Sequence, residues 1–305
     1  MKLQQLRYIR EISRQGFSVS AAANALHTSQ PGVSNQVQQL EHELGLQIFE
    51  RRGKRLSNLT PFGQAAVAMA DRVLLDVENI RQLAAESRDE NQGTLSIGTT
   101  HTQARYALPN AIKKFAQHYP HIHLNMVQGT PTEIAEMAAS GKIDMAIATE
   151  GLAQFESLAI LPCYDWNRSI VVPPNHPLLS EQKLSLKAIS QYPILTYVMG
   201  FTGREQQDQA FTEQGLTPNV VFTATDADVI KTYVELELGI GIIASMAFDT
   251  KKDAPLHALN AEHLFKPSTT HLGIRRGRYL RGYAYAFIEF LAPHLNRQRV
   301  EKTIE

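Results

Sequence analysis

The segment AAANALHTSQPGVSNQVQQLEHELG, residues 21–45, constrains the fold of this chain more than any other. It predicts two short helices joined by a tight turn, because apolar residues recur at helical spacings and polar residues fall on another face. The apolar set is Ala22, Leu26, Val33, Val37, Leu40 and Leu44, and the polar set is Ser29, Gln30, Ser34, Asn35 and Gln38. A polar face on the second helix is typical of a helix-turn-helix that hydrogen-bonds to DNA bases. A plain Ala-rich helical pair would show the same stripe, so the pattern alone leaves both alternatives open.

A cluster of basic residues follows directly after Phe49. The segment ERRGKRLSNLTP places Arg51, Arg52, Lys54 and Arg55 around Gly53, between two extended stretches. It predicts a basic β-hairpin, or wing, whose cations would contact DNA phosphates and make the affinity fall with salt. The alternative is a solvated charged loop, but next to a helix-turn-helix the wing is favoured.

Composition limits where any DNA affinity can originate. The chain of 305 residues is long enough for two or three cores, and its 30 basic and 30 acidic residues cancel. DNA binding must therefore depend on local placement of charge. The single cysteine, Cys163, excludes an internal disulfide and favours a buried, inert thiol in a reducing compartment. No signal core or membrane-spanning apolar run is present, so we expect a cytoplasmic protein without a membrane partner.

The first part of the chain predicts two regions. Residues 1–59 form the winged helix-turn-helix, with a leading helix packed through Leu3, Leu6, Ile9 and Ile12. Residues 60–92 form a linker, in which Thr60 and Pro61 begin a long helix and SRDENQG ends it as a hinge. A heptad-like seam on this helix favours pairing with a second copy over packing on its own domain. The seam is Phe62, Ala66, Met69, Val73, Val77, Ile80 and Ala84.

Residues 93–305 predict an α/β domain. Short apolar strands alternate with amphipathic helices there, which favours parallel sheets, arranged either as one large sheet or as two lobes around a cleft. The predicted strands are TLSIGT, HIHLNMV, IDMAIA, RSIVV, PILTY, NVVFT and IGII. The predicted helices lie at PTEIAEMAASG, around REQQDQAFTEQG and at DADVIKTYVELELG.

Hydroxyl side chains collect where predicted strands end. Thr99 ends TLSIGT, and Thr100, Thr102 and Gln103 follow it. Thr149 and Glu150 follow IDMAIA, and Thr202 lies in the Gly-flanked turn MGFTGRE. Ligands of open α/β sheets bind at the carboxyl ends of strands, where helix amides attract anions. A lone threonine would be a helix cap, but this group predicts a cleft for a small polar or anionic molecule.

Other chemistry is weakly signalled. His101, His118, His121 and His123 lack a second set of ligands in the sequence, so we predict no metal site. The motifs of nucleophilic, metal-dependent and nucleotide-dependent enzymes are missing, and neither catalytic residues nor a cofactor are predicted. Trp166 would either line a pocket or fill a core, and the core is favoured.

The stretch AANALHTSQPGVSNQVQQLEHELGLQIFERRGKRLSNLTPFG resembles the N-terminal domain of the LysR-type transcriptional regulators, and the resemblance extends over essentially the whole chain. Within that family it resembles the CysB-type regulators of sulfur assimilation. The motifs are MKLQQLRYI, TTHTQARYALP, CYDWNRSIVV, GFTGR and FTATDADVIKTYVELELGIGIIASMA. The resemblance implies an effector domain of two Rossmann-like lobes, as in periplasmic binding proteins. Lobe I would span about 93–163 plus 267–295, and lobe II about 164–266.

The resemblance also implies a function. It implies a homotetramer, a dimer of dimers, that binds promoter DNA, works with RNA polymerase, and activates genes of sulfur uptake and cysteine biosynthesis while repressing its own. The implied effectors are O-acetylserine or N-acetylserine, with sulfate, thiosulfate or adenosine phosphosulfate as further occupants. A general cysteine regulator and the paralogue type for sulfonates and sulfate esters both remain open. A solute-binding protein for sulfate-like anions, without DNA binding, is the alternative from another class.

Residue by residue, the resemblance assigns two sites. Thr100, Thr102, Gln103, Thr149 and Thr202 match the effector-binding residues of CysB-type proteins, and Gln30, Pro31, Ser34 and Arg51 with the wing match the family's DNA contacts. Asn35 departs from the pattern, because relatives usually place Arg or Lys there. Asn pairs with adenine where Arg or Lys favours guanine or phosphate, so we expect an altered half-site preference.

Overall fold

The chain divides into two structural units in the computed structural model, which describes residues 1–53 and 55–305. The units are Met1–Ala85 and Glu86–Glu305. The first unit contains the predicted helix pair, the leading helix, a hairpin and most of the long helix. These elements are α1 (Leu3–Arg14), α2 (Val19–Ala25), α3 (Gln30–Leu44), β1 (Phe49–Arg52), β2 (Arg55–Leu59) and α4 (Pro61–Arg88).

Buried apolar side chains pack α1, α2 and α3 together. The most deeply buried members of this core are Ile9, Ile12, Ala22, Val33, Leu40, Ile48 and Phe49. Two predicted stripe members lie outside it, because Leu3 is 43% exposed and Leu44 is 40% exposed. Each lies at an end of its helix, beyond the reach of the neighbouring helices. The apolar spacing therefore continues one turn beyond the packed part of the helix.

Gly63 lies where α4 begins and is required by a close backbone approach. Its amide donates to Thr60 Oγ1 at 2.9 Å, so Thr60 caps the helix as predicted. A Cβ on Gly63 would lie 1.9 Å from the carbonyl oxygen of Ile48. This glycine, an unfavourable residue inside a helix, therefore allows the helix to start directly against the entry to the wing.

The long helix α4 has two different apolar faces. Ala70 and Leu74 are buried in the core of the first unit. From the predicted seam, Met69, Val73 and Ile80 are 56%, 41% and 66% exposed. Large apolar side chains in this regular pattern favour pairing with another helix, and that pairing remains a prediction.

The second unit contains two five-stranded sheets, in the orders β4-β3-β5-β12-β6 and β11-β7-β10-β8-β9. Their strands are β3 (Gly93–Thr99), β4 (Ile122–Gln128), β5 (Met145–Ala148), β6 (Leu158–Trp166), β7 (Arg168–Val172), β8 (Ile194–Tyr197), β9 (Val220–Ala224), β10 (Ile240–Ala244), β11 (His257–Asn260) and β12 (Ser268–Arg275). The helices are α5 (Pro109–His118), α6 (Pro131–Ala139), α7 (Leu186–Ile189), α8 (Arg204–Glu213), α9 (Ala227–Glu235), α10 (Gly282–Leu291) and α11 (Arg297–Ile304). The two-sheet arrangement answers the question that periodicity left open.

The sheets are mixed, so the prediction of parallel sheets is correct only in part. Strands β3, β4 and β5 are parallel to one another, as are β8, β9 and β10. Strand β12 runs antiparallel to β5 and β6, and β7 runs antiparallel to β10 and β11. The chain crosses from the first sheet to the second between β6, which ends at Trp166, and β7, which begins at Arg168. It returns to the first sheet along β12, which begins beside Trp166. Strands β6, β11 and β12 were not predicted from apolar patterning.

Cys163 lies on β6 of the first sheet, with its side chain in the core, and is 4% exposed. Burial raises the pKa of its thiol to about 12, so the reactive thiolate is disfavoured at neutral pH. This environment agrees with the predicted inert thiol. Among the described residues, no helix combines the length and apolarity needed to cross a membrane.

Candidate functional site

The predicted reading surface occupies the first turns of α3. Ser29, Gln30, Pro31 and Asn35 are exposed and Ser34 is half-buried. Ser29 Oγ accepts from the Gly32 amide at 3.3 Å and so caps the helix, while Gln30 Nε2 donates to Ser34 Oγ at 3.2 Å. The structure therefore brings all the predicted base-reading residues to one exposed helix start, which is where recognition helices present their side chains to base edges.

The wing is the β1–β2 hairpin, in which Arg52 lies opposite Arg55 and both are exposed. Lys54 lies outside the described residues. Arg51 differs from the other two arginines, because its Nη2 donates to Glu41 Oε2 at 2.9 Å. Arg51 is therefore engaged in an internal ion pair, which the sequence interpretation did not anticipate.

Glu41 is a structural residue that the sequence interpretation missed. Its side chain is 2% exposed, and Oε1 accepts from the amides of Ile48 and Phe49 at 2.9 and 3.2 Å. This carboxylate ties the end of α3 to the start of the wing. A signal was present, because Glu41 follows Val37 by four residues and so lies on the apolar face of the helix.

The predicted effector residues lie at strand ends in the second unit. Thr100, Thr102 and Gln103 follow β3, and Thr149 follows the neighbouring strand β5. Thr202 lies in the turn between β8 and α8, with a backbone φ of 47° that is unusual for a β-branched residue. All are buried except the half-buried Thr149. Strained backbone of this kind is concentrated at functional sites.

Gln103 is engaged by its own protein. It opens a π-helical turn, Gln103–Ala107, and its Nε2 donates to Thr270 Oγ1 on β12 at 3.1 Å. Its Oε1 accepts from the hydroxyl of Tyr164 on β6. Gln103 therefore links the end of β3 to β12 and β6. The sequence predicted this residue as a ligand donor and did not predict these internal contacts.

Glu150 and Arg168 make contacts between the two sheets. Glu150 follows β5, and its Oε1 accepts from the amide of Gly203, which lies beyond β8. Arg168 Nη2 donates to the Gly203 carbonyl at 2.6 Å and to Ser268 Oγ at 2.9 Å. A Cβ on Gly203 would lie 1.9 Å from Arg168 Nη2, so this position requires glycine. Arg168 was predicted only as part of a strand.

Buried polar atoms surround this junction. Trp166 Nε1 is buried and has no hydrogen-bond partner among the described residues. Thr102 Oγ1 and Glu150 Oε2 are also buried and only loosely engaged, Thr102 by the Tyr197 hydroxyl and Glu150 by the Thr202 amide. The Trp166 ring lies 5.2 Å from the Arg168 guanidinium, which connects these atoms to the junction, and its packing fits the predicted core position. Buried polar atoms are nearly always paired, so these atoms are candidates for contact with a small polar ligand.

The charges at the junction perturb one another. Burial raises the pKa of Glu150 to about 7, against the opposing effects of the Gly203 amide and Arg168. Burial also lowers the pKa of Arg168 to about 10, while Glu150 raises it. Arg168 remains protonated at neutral pH, whereas Glu150 is divided between its two protonation states.

His101 lies near two carboxylates, which the sequence did not reveal. Ligand atoms of His101, Asp226 and Asp228 lie within 4.8 Å of one another. Asp228 already accepts from the Tyr106 hydroxyl at 2.6 Å and pairs with Arg105 at 2.6 Å. Asp226 Oδ1 accepts from the Val229 amide at 2.9 Å. These contacts engage both carboxylates with protein donors. The absence of a metal site stays a prediction.

Comparison with known proteins supplies the family. Residues 88–296 match the LysR substrate binding domain, and residues 3–64 match the bacterial regulatory helix-turn-helix protein, lysR family. The second match removes the alternative of a solute-binding protein without a DNA-binding domain.

Several relatives cover nearly the whole chain. The HTH-type transcriptional regulator SsuR of Burkholderia cenocepacia is 50% identical, over 98% of this chain and 97% of its own length. The HTH-type transcriptional regulator CysB of Haemophilus influenzae is 49% identical, over 99% of this chain and 93% of its own. The crystal structure of the cofactor-binding domain of the Cbl transcriptional regulator is 40% identical, covers 70% of this chain and 93% of its own, and has a TM-score of 0.68. The chain therefore belongs to the LysR family of DNA-binding transcriptional regulators.

Proposed function

We propose that this protein regulates genes of sulfur assimilation, cysteine biosynthesis and the use of sulfonates and sulfate esters. Its similarity to regulators named SsuR and CysB over nearly the full chain supports this assignment. Residues 1–59 would read promoter DNA, residues 60–92 would link and dimerise, and residues 93–305 would bind the effector. The effector lobes would be about 93–163 with 267–295, and about 164–266.

The observation that carries the effector site is the junction at Gly203. Thr100, Thr102, Gln103, Thr149 and Thr202 would bind the effector there, and the buried Thr102 Oγ1 and Trp166 Nε1 supply polar atoms that a ligand would satisfy. Neutral hydroxyl and N–H donors suit an oxyanion or a small carboxylate. Acetylserine and sulfate-type anions, including thiosulfate and adenosine phosphosulfate, are the effectors that fit this chemistry.

DNA recognition would use the exposed start of α3 for bases and Arg52, Arg55 and Lys54 for phosphates. The exposed apolar residues of α4 would pair two chains, and two such dimers would form a tetramer that holds several reading heads on one promoter. Regulation would then include contact with RNA polymerase, and the protein would work in the cytoplasm.

Regulation would couple two equilibria. A ligand that binds one lobe arrangement more tightly shifts the effector domain toward that arrangement. In the tetramer this shift would change the spacing of the reading heads and the bend of the bound promoter.

The test is a calorimetric titration of the full chain with O-acetylserine, N-acetylserine, sulfate, thiosulfate and adenosine phosphosulfate. Thr100→Ala and Thr202→Ala should each lower the affinity for the ligand that binds the wild type about tenfold, because each removes a hydrogen bond to a buried ligand. Thr217→Ala, at an exposed loop position, is the matched control and should bind as the wild type does. Equal binding by all three variants would place the effector elsewhere.

A further inference from the structure

The end of the long helix α4 belongs to the second unit. The sequence predicts SRDENQG as a hinge after this helix, but α4 continues to Arg88 and the second unit begins at Glu86. One continuous helix therefore contributes most of its length to the first unit and its last turn to the second. The contacts of this last turn are made with residues around the start of α10.

Glu86 caps α10 from another helix. The Gly282 amide donates to Glu86 Oε1 at 2.6 Å, and the Tyr279 hydroxyl donates to Glu86 Oε2. Helix α10 has no cap of its own, because Arg281 at its N-cap position makes no side-chain capping bond and its first turn contains no acidic residue. Free amides and the positive end of the helix dipole favour a carboxylate at this position. Glu86 supplies the carboxylate that the sequence of α10 lacks.

Arg281 and Tyr283 hold the residues that follow α4. Arg281 is buried, and its Nη2 donates to the Asp89 carbonyl at 2.6 Å. The Tyr283 hydroxyl donates to the Thr94 carbonyl at 3.0 Å. A Cβ on Gly93 would lie 2.6 Å from Arg281 Nη1 and 2.9 Å from Tyr283 Oη, so the chain passes too close for another residue. The predicted hinge is therefore held at both of its ends.

Residues 279–283, which we call the linker clamp, lead directly into the core of the first sheet. Phe287 and Ile288 of α10 are fully buried together with Leu95 and Ile97 of β3. Close-packed elements of this kind move as a unit. A displacement of the first sheet would therefore carry α10, the linker clamp and the last turn of α4 with it.

We propose that Glu86 is a positioning residue that couples the second unit to DNA binding, because it makes the last turn of α4 move with α10. A free hinge at residues 87–93 would let the two units move independently, whereas the linker clamp ties the end of α4 to the core of the first sheet. Coupling between two sites is reciprocal, so DNA bound by the first unit should alter α10 in the second. This coupling does not depend on which effector binds.

The experiment is hydrogen exchange on the full chain, with and without a DNA duplex that the wild type selects from a randomised pool. In the wild type the duplex should slow exchange of the α10 amides about fivefold, at the lower end of typical coupling between sites. Glu86→Ala should abolish this response while the affinity for the duplex stays unchanged. Glu90→Ala removes an exposed carboxylate from the same segment and, as the matched control, should respond as the wild type does.

Two further variants separate positioning from stability. Glu86→Gln keeps an acceptor for the Gly282 amide and should retain about half of the response. Tyr279→Phe removes only the hydroxyl that donates to Glu86, so it should reduce the response even if Glu86→Ala does not fold. Loss of duplex affinity and of thermal stability together with the response would show that Glu86 is merely structural, and would overturn the proposal.

Two other outcomes would also overturn the coupling. One is an α10 exchange rate that ignores the duplex in the wild type, and the other is an equal response in the wild type, Glu86→Ala and Tyr279→Phe. Failure of the five proposed effectors to bind would overturn the proposed effector site instead, and it would leave this measurement unaffected because no effector is present in it.

Discussion

The first and second units place their candidate functional residues in opposite environments. In Met1–Ala85 the reading residues are mostly exposed side chains on one helix start and one hairpin. In Glu86–Glu305 the candidate effector residues are mostly buried, and they come from strand ends far apart in the chain. A surface that reads DNA can be assembled from local sequence, whereas a cleft that encloses a small molecule requires long-range contacts.

The largest expected effect tests whether the exposed reading surface of the first unit depends on a buried polar contact. Glu41→Ala should destabilise the first unit by about 3 kcal/mol, because it leaves two buried amides and Arg51 without their acceptor. Chemical denaturation followed by a probe in the first unit measures this. Glu43→Ala removes an exposed ion pair and should cost less than about 1 kcal/mol. Similar losses for the two variants would show that Glu41 adds nothing beyond a surface charge.

The cleft can be tested separately at Gly203. Gly203→Ala should destabilise the second unit by about 2 to 3 kcal/mol and abolish effector binding, because the added Cβ would overlap Arg168. Gly200→Ala is the matched control, since Gly200 also has a positive φ but open space around it. It should cost only about 1 kcal/mol of backbone strain. Thermal unfolding together with effector calorimetry distinguishes the two variants, and equal behaviour would refute a tight junction.

The wing tests whether exposed charge supplies the DNA affinity. Arg52→Ala combined with Arg55→Ala should reduce the slope of log K against log salt by about 2 for each reading head, because two phosphate contacts are lost. Promoter binding at several salt concentrations measures the slope. The double variant Lys113→Ala and Lys114→Ala removes two exposed cations from α5 and should leave the slope unchanged. An equal reduction of the slope in both double variants would indicate that the net charge of the protein, and not the wing, sets the salt dependence.

The smallest expected effect concerns a single exposed side chain. Asn35→Lys should change which base is preferred at one half-site position by about 1 kcal/mol, with little effect on stability, because Asn35 is exposed. Selection of binding sites from a randomised operator pool reports this preference. Identical preferred sequences for wild type and variant would exclude a base contact at Asn35.

Local patterns predicted much of the fold. The helix pair, the wing, the long helix and the strands β3, β4, β5, β7, β8, β9 and β10 all lie where apolar spacing and turn residues indicated. Strands β6, β11 and β12 were missed. In β6 and β11, exposed and polar positions interrupt the apolar run. Strand β12 begins with three hydroxyl residues, of which Ser268 and Thr270 are nevertheless buried. Their pairing is decided by neighbours far away in sequence.

The candidate cleft was predicted only in its donors. Threonines after strands have a local signal, because strand ends and helix starts can be located from periodicity. The roles of Glu150, Arg168 and Gly203 have no local signal in the sequence, since each depends on a partner on another strand or turn. The same holds for Gln103, whose side-chain amide donates to Thr270 and accepts from Tyr164.

The amino-acid sequence was sufficient for the order of the elements, the exposed face of α3 and the strand ends that carry hydroxyl groups. These follow from backbone periodicity and from helix capping, which act over a few residues. The folded structure was needed to show that Arg51 is paired with Glu41, that Leu3 and Leu44 lie outside the core, and that Glu150 meets Gly203. Burial and charge interaction depend on distances through space, and those distances are set only when separate elements pack together.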